Sequence, residues 1–216
     1  MRVPELSGRR FQAVIFDLDQ TLLDSSHSLA LTWGTWMKEY RITPDATRNW
    51  GGWTSEAIIR LCLPPEQVAE GLARLEELET STTDQITALP GAAEALALLP
   101  TDRVAVGTSG SQAVARARMA AAGLDVPAVL VTADDVAHGK PDPDVFLQAA
   151  QRLGVEPSDC LVVEDAPAGL AAARAAGMAS LAVLTSTPRA ELEADAVVTD
   201  LSEVCWQVGD DGISLA

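Results

Sequence analysis

The sequence predicts an α/β fold: a doubly wound parallel sheet that is interrupted by an all-helical insertion. A short apolar run at 14–16 ends abruptly at two carboxylates, Asp17 and Asp19. The following stretch, 25–86, has helical character and no convincing strand. Beyond it, short apolar runs alternate with alanine-rich helical segments, which is typical of a parallel sheet with right-handed crossovers.

The charge balance excludes two classes of partner. The 216 residues include 31 acidic and 15 basic side chains, and the net charge of −16 repels both nucleic acid and anionic membrane surfaces. An anionic substrate would therefore need a local cation. Three scattered cysteines predict neither a disulfide framework nor a clustered metal site. There is no signal-peptide pattern, and no apolar run approaches the ~18 residues of a membrane span, so we expect a soluble cytoplasmic protein. We also expect it to be a monomer.

The first strand ends in the residues on which the functional prediction depends. Ligands of helix-covered parallel sheets bind outside the carboxyl ends of the strands, so Asp17 and Asp19 stand at the expected site. Two carboxylates one residue apart repel each other unless a cation or a shared proton relieves them, and a divalent metal is the simplest solution. The pattern alone is weak, because an acidic turn before a helix N-terminus looks the same.

The insertion is predicted to be a helical domain. Apolar residues spaced along one helix face indicate a helix at 27–42, and 54–63 and 64–86 are also helical in character. Because the insertion, 25–86, follows directly after the acidic strand end, we expect it to lie over the site as a cap or lid. Residues 1–24 and 87–216 would then form the α/β catalytic core.

The rest of the core is predicted from its alternating pattern. A short apolar helix at 92–99 follows a Leu-Pro-Gly turn. Four further strands and a possible fifth are predicted at 103–107, 128–132, 160–163, 180–184 and 196–199. The intervening helices end at glycines that suit a C-terminal cap: Gly123, Gly154 and Gly177.

Groups suited to one reaction follow three of the later strands. Residues 108–110 (Thr-Ser-Gly) open a helix and can hold an anion, although an ordinary helix N-cap looks alike. Lys140 supplies a cation in an acidic chain, unless it is a surface lysine. Glu164 and Asp165 offer the oxygen ligands that Mg²⁺ prefers, or they simply favour a helix N-terminus. The ordered set, each member just beyond a strand, favours a functional site.

These residues resemble the four motifs of the haloacid dehalogenase-like hydrolase superfamily. The matching positions are Asp17-Leu18-Asp19-Gln20-Thr21, Thr108-Ser109, Lys140-Pro141 and Glu164-Asp165. The resemblance covers about residues 11–200, and the insertion looks like that superfamily's four-helix type of cap on a Rossmann-like core. Segments such as VVEDAPAGLAAARAAGM look most like the small sugar- and polyol-phosphate phosphatases. Gln20 stands where many members have glycine.

The resemblance implies a phosphatase mechanism. Asp17 would be the nucleophile that forms an aspartyl-phosphate, and Asp19 the general acid for the leaving group and then the base for water. Four residues would hold the phosphoryl oxygens: Thr108, Ser109, Gly110 and Lys140. Mg²⁺ would be the cofactor, held by the Asp17 side chain, the Asp19 backbone carbonyl, Asp165 and, directly or through water, Glu164.

The resemblance leaves alternatives open for the reaction and the substrate. A dehalogenase expels halide without needing a proton, so Asp19 favours hydrolysis of a small phosphate ester or phosphomutase chemistry of the β-phosphoglucomutase type. A non-catalytic binding protein on the same fold is a further alternative. We expect Trp33 and Trp36 to pack inside the insertion. Three residues are candidates for contact with the substrate: Trp50, Trp53 and, unless it is a helix cap or surface residue, His27.

Overall fold

A computed structural model describes residues 6–43 and 53–215 of the chain. Ten strands occur in this part of the chain: β1 (Ala13–Phe16), β2 (Leu23–Asp24), β3 (Thr87–Ala88), β4 (Val104–Gly107), β5 (Val129–Val131), β6 (Cys160–Glu164), β7 (Ala179–Val183), β8 (Ala196–Val198), β9 (Trp206–Gly209) and β10 (Gly212–Leu215). Seven α-helices accompany them: α1 (Ser26–Glu39), α2 (Ser55–Cys62), α3 (Pro65–Ser81), α4 (Ala92–Leu98), α5 (Gln112–Ala121), α6 (Asp144–Leu153) and α7 (Pro167–Ala175). None of these helices is long and apolar enough to span a bilayer.

Six strands form one parallel sheet, in the order β5-β4-β1-β6-β7-β8. The chain runs outward from β1 to β4 and β5 on one side, and then returns to build β6, β7 and β8 on the other. Phe16, the last residue of β1, lies opposite Val106 of β4 and Val163 of β6. The carboxyl ends of these three strands therefore meet where the winding direction reverses, which is the usual ligand site of such sheets. The predicted doubly wound α/β core is confirmed.

Both faces of the sheet are covered. Along β1, Val14 and Phe16 belong to one core cluster, whereas Ala13 and Ile15 belong to another on the opposite face, and all four are buried. This alternation follows from the two-residue period of a strand. A strand buried on both faces reads as a continuous apolar run, which explains the pattern from which the strand was predicted.

The chain from α1 to α3 has a small core of its own. Helices α1, α2 and α3, hereafter the helical unit, pack around Trp36, Ile59, Leu63, Val68 and Leu75. The Trp36 indole Nε1 donates to the Gly71 carbonyl at 2.8 Å. No strand occurs in the described part of 25–86, as the sequence predicts. The predicted packing of Trp36 within the insertion is therefore found.

Two strand pairs were not predicted. β2 and β3 run antiparallel, with Leu23 opposite Ala88, and so hold the two connections to the helical unit side by side. β9 and β10 form a hairpin near the C-terminus, and Trp206 of β9 contacts the Phe16 ring edge-on at 5.9 Å. The first pair is too short for a period-two pattern to be visible, and β9 buries only Trp206.

Candidate active site

Asp17 lies at the centre of the candidate site because it follows β1, the strand between β4 and β6. Its backbone N–H donates to the Val163 carbonyl at 2.9 Å, which continues the pairing of β1 with β6 and fixes the start of the loop. Lys140 reaches this position from the loop before α6. Its Nζ lies 2.5 Å from Asp17 Oδ1 and 2.8 Å from Glu164 Oε1. Sequence motifs 123 residues apart are thus brought into direct contact.

The Lys140 ammonium is buried and charged. Its side chain is 0 % exposed, and the Nζ also lies 4.8 Å from the centroid of the Phe146 ring. Burial alone would lower the pKa of Lys140, but the carboxylates of Asp17 and Glu164 outweigh burial and hold that pKa above its ordinary value. The surface-lysine alternative is therefore wrong.

Three carboxylates, from Asp17, Glu164 and Asp165, form a cluster that could hold a metal ion. One oxygen of each lies within 4.8 Å of the others. Burial raises the pKa of Asp17 well above its usual range, and Glu164 and Asp165 add to the shift against the opposing Lys140 ammonium. Burial and the neighbouring Glu164 carboxylate raise the pKa of Asp165 to about 8. When all three are ionised, the cluster has more negative charge than Lys140 alone can neutralise.

Glu164 also organises the loop after β6. Its Oε2 accepts from the backbone N–H groups of Asp165 and Ala166, both at 2.7 Å, while Oε1 accepts from Lys140. A Cβ added to Gly169 of α7 would lie 1.7 Å from Glu164 Oε1, so only glycine leaves room for this carboxylate. Asp165 is held by the hydroxyl of Ser186.

A cavity of about 360 Å³ opens over these groups. Residues 108–110, which follow β4, lie on its wall, and the Gly110 N–H donates to Thr108 Oγ1 at 3.1 Å. Helix α5 begins just beyond, with the Ser111 hydroxyl accepting from the Val114 N–H as a true N-cap. Asp17, Asp19, Glu164 and Asp165 also line this space. Lys140 does not line it but binds Asp17 and Glu164, so the four predicted strand-end motifs meet at one site.

Comparisons with known proteins agree with this geometry. The sequence pattern of the haloacid dehalogenase-like hydrolase family matches residues 14–183. The chain belongs to this family. Hexitol phosphatase A of Escherichia coli K12 is 39% identical over 212 residues, which cover 90% of this chain and 94% of that protein. Beta-phosphoglucomutase of Bacillus subtilis is 30% identical over 212 residues, covering 91% and 93%. A hydrolase crystal structure from Pseudomonas syringae has a TM-score of 0.80 and 30% identity, covering 88% and 94%.

The second aspartate of this hydrolase, Asp19, is held by two donors. Ser25 Oγ donates to Asp19 Oδ1 at 2.6 Å, and Arg118 Nη1 donates to Asp19 Oδ2 at 2.8 Å. Arg118 Nη2 in turn donates to Glu79 Oε1 at 2.9 Å. Burial would lower the pKa of Arg118, but the carboxylates of Asp19 and Glu79 hold it above its ordinary value.

Arg118 and Glu79, which both line the cavity of the hydrolase, are site residues that were not predicted from the sequence. One signal was available for the arginine. Val114 and Arg118 are four residues apart on α5, so they share a face that the apolar pattern predicts to be buried. A charged side chain on such a face needs a partner. The same signal was available for Glu79, which lies four residues after the buried Leu75 on α3, although it belongs to a glutamate-rich helix.

The structure distributes the candidate substrate contacts unevenly. Trp53 is 38% exposed and lines the cavity, as does Trp33, which was expected in the core of the insertion and also packs against that core. His27 lies exposed in the first turn of α1 and does not line the cavity. Trp50 lies outside the described residues. The backbone of Gln20 is left-handed, at φ +64°, which explains why glycine suits this position.

Proposed function

We propose that this hydrolase is a Mg²⁺-dependent phosphatase that cleaves the phosphate monoester of a small sugar or polyol through an aspartyl-phosphate. One observation carries the proposal: the Asp17 carboxylate lies 2.5 Å from a buried ammonium, beside two further carboxylates, in a cavity that the helical unit covers. A nucleophilic carboxylate can approach an anionic phosphoryl group only where cations offset the repulsion. The similarity to a hexitol phosphatase supports the polyol class.

The protein residues have complementary parts in this reaction. An Asp17 carboxylate oxygen forms a bond to phosphorus while the ester P–O bond breaks, and Asp19 gives its proton to the departing alkoxide. Asp19 then takes a proton from the water that attacks phosphorus, which releases phosphate and restores Asp17. Lys140, the Thr108 hydroxyl and the N–H groups of Ser109 and Gly110 hold the phosphoryl oxygens.

The donor set fits a hard divalent cation. Asp17, Glu164 and Asp165 present only oxygen, and with Lys140 they sum to −2 when ionised, since one positive charge faces three negative ones. We assign Mg²⁺ binding to the side chains of Asp17 and Asp165 and the Asp19 backbone carbonyl. Glu164 would support it through water, because Glu164 already binds Lys140 and its own loop. When bound, the ion neutralises charge between the nucleophile and the phosphoryl group.

The helical unit is proposed to be the cap, and 25–86 the cap domain, inserted between the two parts of the catalytic core at 1–24 and 87–216. Trp33, Met37 and Ile58 give the cavity an apolar wall opposite the carboxylates. Such a wall suits the C–H groups of a sugar or polyol, so the helical unit would determine which leaving groups are accepted. We expect a monomer in the cytoplasm. The net charge of −16 disfavours both nucleic acid and an anionic membrane surface as partners.

A panel of phosphate esters tests the proposal. Purified protein is incubated with hexitol phosphates, a ketohexose 1-phosphate, glycerol phosphate and p-nitrophenyl phosphate, with Mg²⁺ or with EDTA. We expect phosphate release that requires Mg²⁺ and is lost in Asp17→Asn. Absence of release from every ester, or full activity of Asp17→Asn, contradicts the proposal.

A phosphomutase is the second candidate, and the 30% identity to Beta-phosphoglucomutase favours it. A mutase uses the same nucleophile but returns the phosphoryl group to a sugar, so total ester phosphate is conserved. Phosphorus NMR with a hexose 1-phosphate and a hexose bisphosphate primer distinguishes the two reactions. Isomerisation without a growing inorganic phosphate signal would favour the mutase.

A further inference from the structure

Arg118 connects three elements that meet beside the cavity. It projects from α5, its Nη1 binds Asp19 in the loop after β1, and its Nη2 binds Glu79 of α3 in the helical unit. The side chains of Arg118 and Glu79 are only 3% and 7% exposed, so this ion pair lies almost out of water, whereas the Asp19 side chain is 21% exposed. In this setting the planar guanidinium group neutralises the charge of the carboxylates that it binds and also fixes their orientation.

The position of Arg118 is set by these two carboxylates. Its Nε is buried and has no hydrogen-bond partner, which is costly. The hydrogen bonds that orient the side chain are therefore those of Nη1 and Nη2. A buried ion-pair network can often be replaced as a whole by well-packed apolar residues at little cost in stability, so stability alone does not require a cation here. The geometry therefore indicates a task for the charge at Asp19.

Asp19 is immobilised at both carboxylate oxygens. Ser25, which precedes α1, donates to Oδ1, and Arg118 donates to Oδ2. The Ser25 hydroxyl makes no hydrogen bond to the helix that it precedes, so this hydroxyl serves Asp19 instead. Two donors from separate elements fix the plane of the carboxylate, which faces the cavity.

We propose that Arg118 is a positioning residue that aims Asp19 at the leaving-group oxygen, with Glu79 as its anchor in the helical unit. The inference rests on the proposed function, because it takes Asp19 as the group that exchanges protons with leaving group and water. It adds that proton transfer depends on a contact between α3 and α5. The attack by Asp17 does not use this contact.

The role predicts a dependence on the leaving group. In the first step the Asp17–phosphorus bond forms and the ester bond breaks. A polyol alkoxide is a poor leaving group and must receive the proton of Asp19, whereas p-nitrophenolate leaves as a stable anion without one. Mispositioning Asp19 therefore slows the first step for the polyol ester only. The second step, attack of water, is slowed for both.

The test compares first turnovers of Arg118→Lys and wild type in Mg²⁺ by rapid quench, with glycerol phosphate and p-nitrophenyl phosphate. General acid catalysis is worth ~10²–10⁴-fold, so we expect partial loss, ~10–100-fold, for glycerol phosphate. The p-nitrophenyl ester should keep its first-turnover rate and show a burst of about one equivalent before a slower steady state. Arg116→Lys, on the exposed side of the same helix, is the matched control and should change neither rate.

Glu79→Gln provides a second variant that keeps the shape of the side chain. It should shift the same ratio in the same direction, and the double variant should be no worse than Arg118→Lys, because both act through one contact. Equal losses for the two esters, or no loss, in variants with wild-type melting curves would overturn the positioning role alone. A wild-type protein that releases phosphate from no ester of the panel overturns the proposed function instead.

Discussion

Two buried cations serve the two aspartates of the Asp-x-Asp pair, and their surroundings differ. Lys140 binds Asp17 and Glu164, and all three belong to the sheet and its loops. Arg118, which projects from α5, binds Asp19 and also binds Glu79 of the helical unit. In the proposed mechanism, the phosphoryl-transfer half of the site is thus built by one sheet and its loops, whereas the proton-transfer half depends on a contact between α5 and the helical unit. The two halves should therefore fail in different ways.

The largest expected effect is the loss of Lys140. Lys140→Met removes the ammonium that offsets Asp17, so we expect kcat/KM to fall by about 10³-fold with every ester, whatever its leaving group. Lys38, the other lysine of the chain, is exposed on α1, and Lys38→Met is the matched control. Steady-state phosphate release measures both.

The two cations differ in how the effect of their removal depends on the leaving group. The loss in Lys140→Met should be the same for every ester. If Lys140→Met spared p-nitrophenyl phosphate while slowing glycerol phosphate, Lys140 would be acting in proton transfer and the contrast with Arg118 would fail. Circular dichroism of the variant checks that the fold persists.

The next largest effect concerns stability. Arg118→Met leaves the carboxylates of Asp19 and Glu79 without their cation, and breaking a buried ion pair costs ~3–5 kcal/mol. In the double variant Arg118→Met/Glu79→Met the Glu79 carboxylate, the more buried of the two, is gone as well. We therefore expect the double variant to regain at least half of the free energy of unfolding that Arg118→Met loses. Urea denaturation of the metal-free proteins measures the difference. A double variant as unstable as the sum of the two single variants would show that the pair is not coupled.

The same contrast explains what the sequence could predict. Strand ends of a parallel sheet converge by topology, so Asp17, the Thr-Ser loop and Glu164 could be placed together from a pattern of apolar runs. The role of Lys140 could be predicted from two features, the acidic composition of the chain and the position of this lysine after a strand. These inferences are local, because each uses a strand and the residues that follow it.

The contacts of Arg118 are not local. Glu79 precedes it by 39 residues and reaches it only because α3 packs on α5, a helix contact that no residue pattern specifies. Trp33 shows the same limit: its spacing from Trp36 predicts a buried face correctly, but the edge of that face also borders the cavity. Which helix surfaces meet is decided by side-chain shape across the interface.

A smaller effect should appear when metal is removed. The raised pKa of Asp165, about 8, and the raised pKa of Asp17 mean that the folded state binds protons more tightly than the unfolded state. Without metal, stability should therefore fall as pH rises from about 4 to about 8, and Mg²⁺ should restore several degrees of Tm at the upper end. Thermal melts with EDTA or Mg²⁺ measure this.

Asp165→Asn is the matched variant, since it removes one of the carboxyl groups whose pKa is raised and should make the metal-free profile less steep. A flatter profile would show that the carboxylate cluster of Asp17, Glu164 and Asp165, and not the ion pairs of Arg118, makes the stability depend on metal. A melting temperature that rises with pH in EDTA would contradict the assignment of the excess negative charge to this cluster.

The smallest expected effect concerns the second donor to Asp19. Ser25→Ala removes the hydrogen bond to Oδ1, whose net worth is ~0.5–1.5 kcal/mol, so the first turnover of glycerol phosphate should slow by less than about tenfold. The p-nitrophenyl ester should again be spared. Ser26→Ala, the neighbouring exposed serine bound to Asp24, is the control. Because Arg118 would still hold Oδ2, a Ser25→Ala loss larger than that of Arg118→Lys would make the serine, and not the contact between α3 and α5, the main determinant of how Asp19 is aimed.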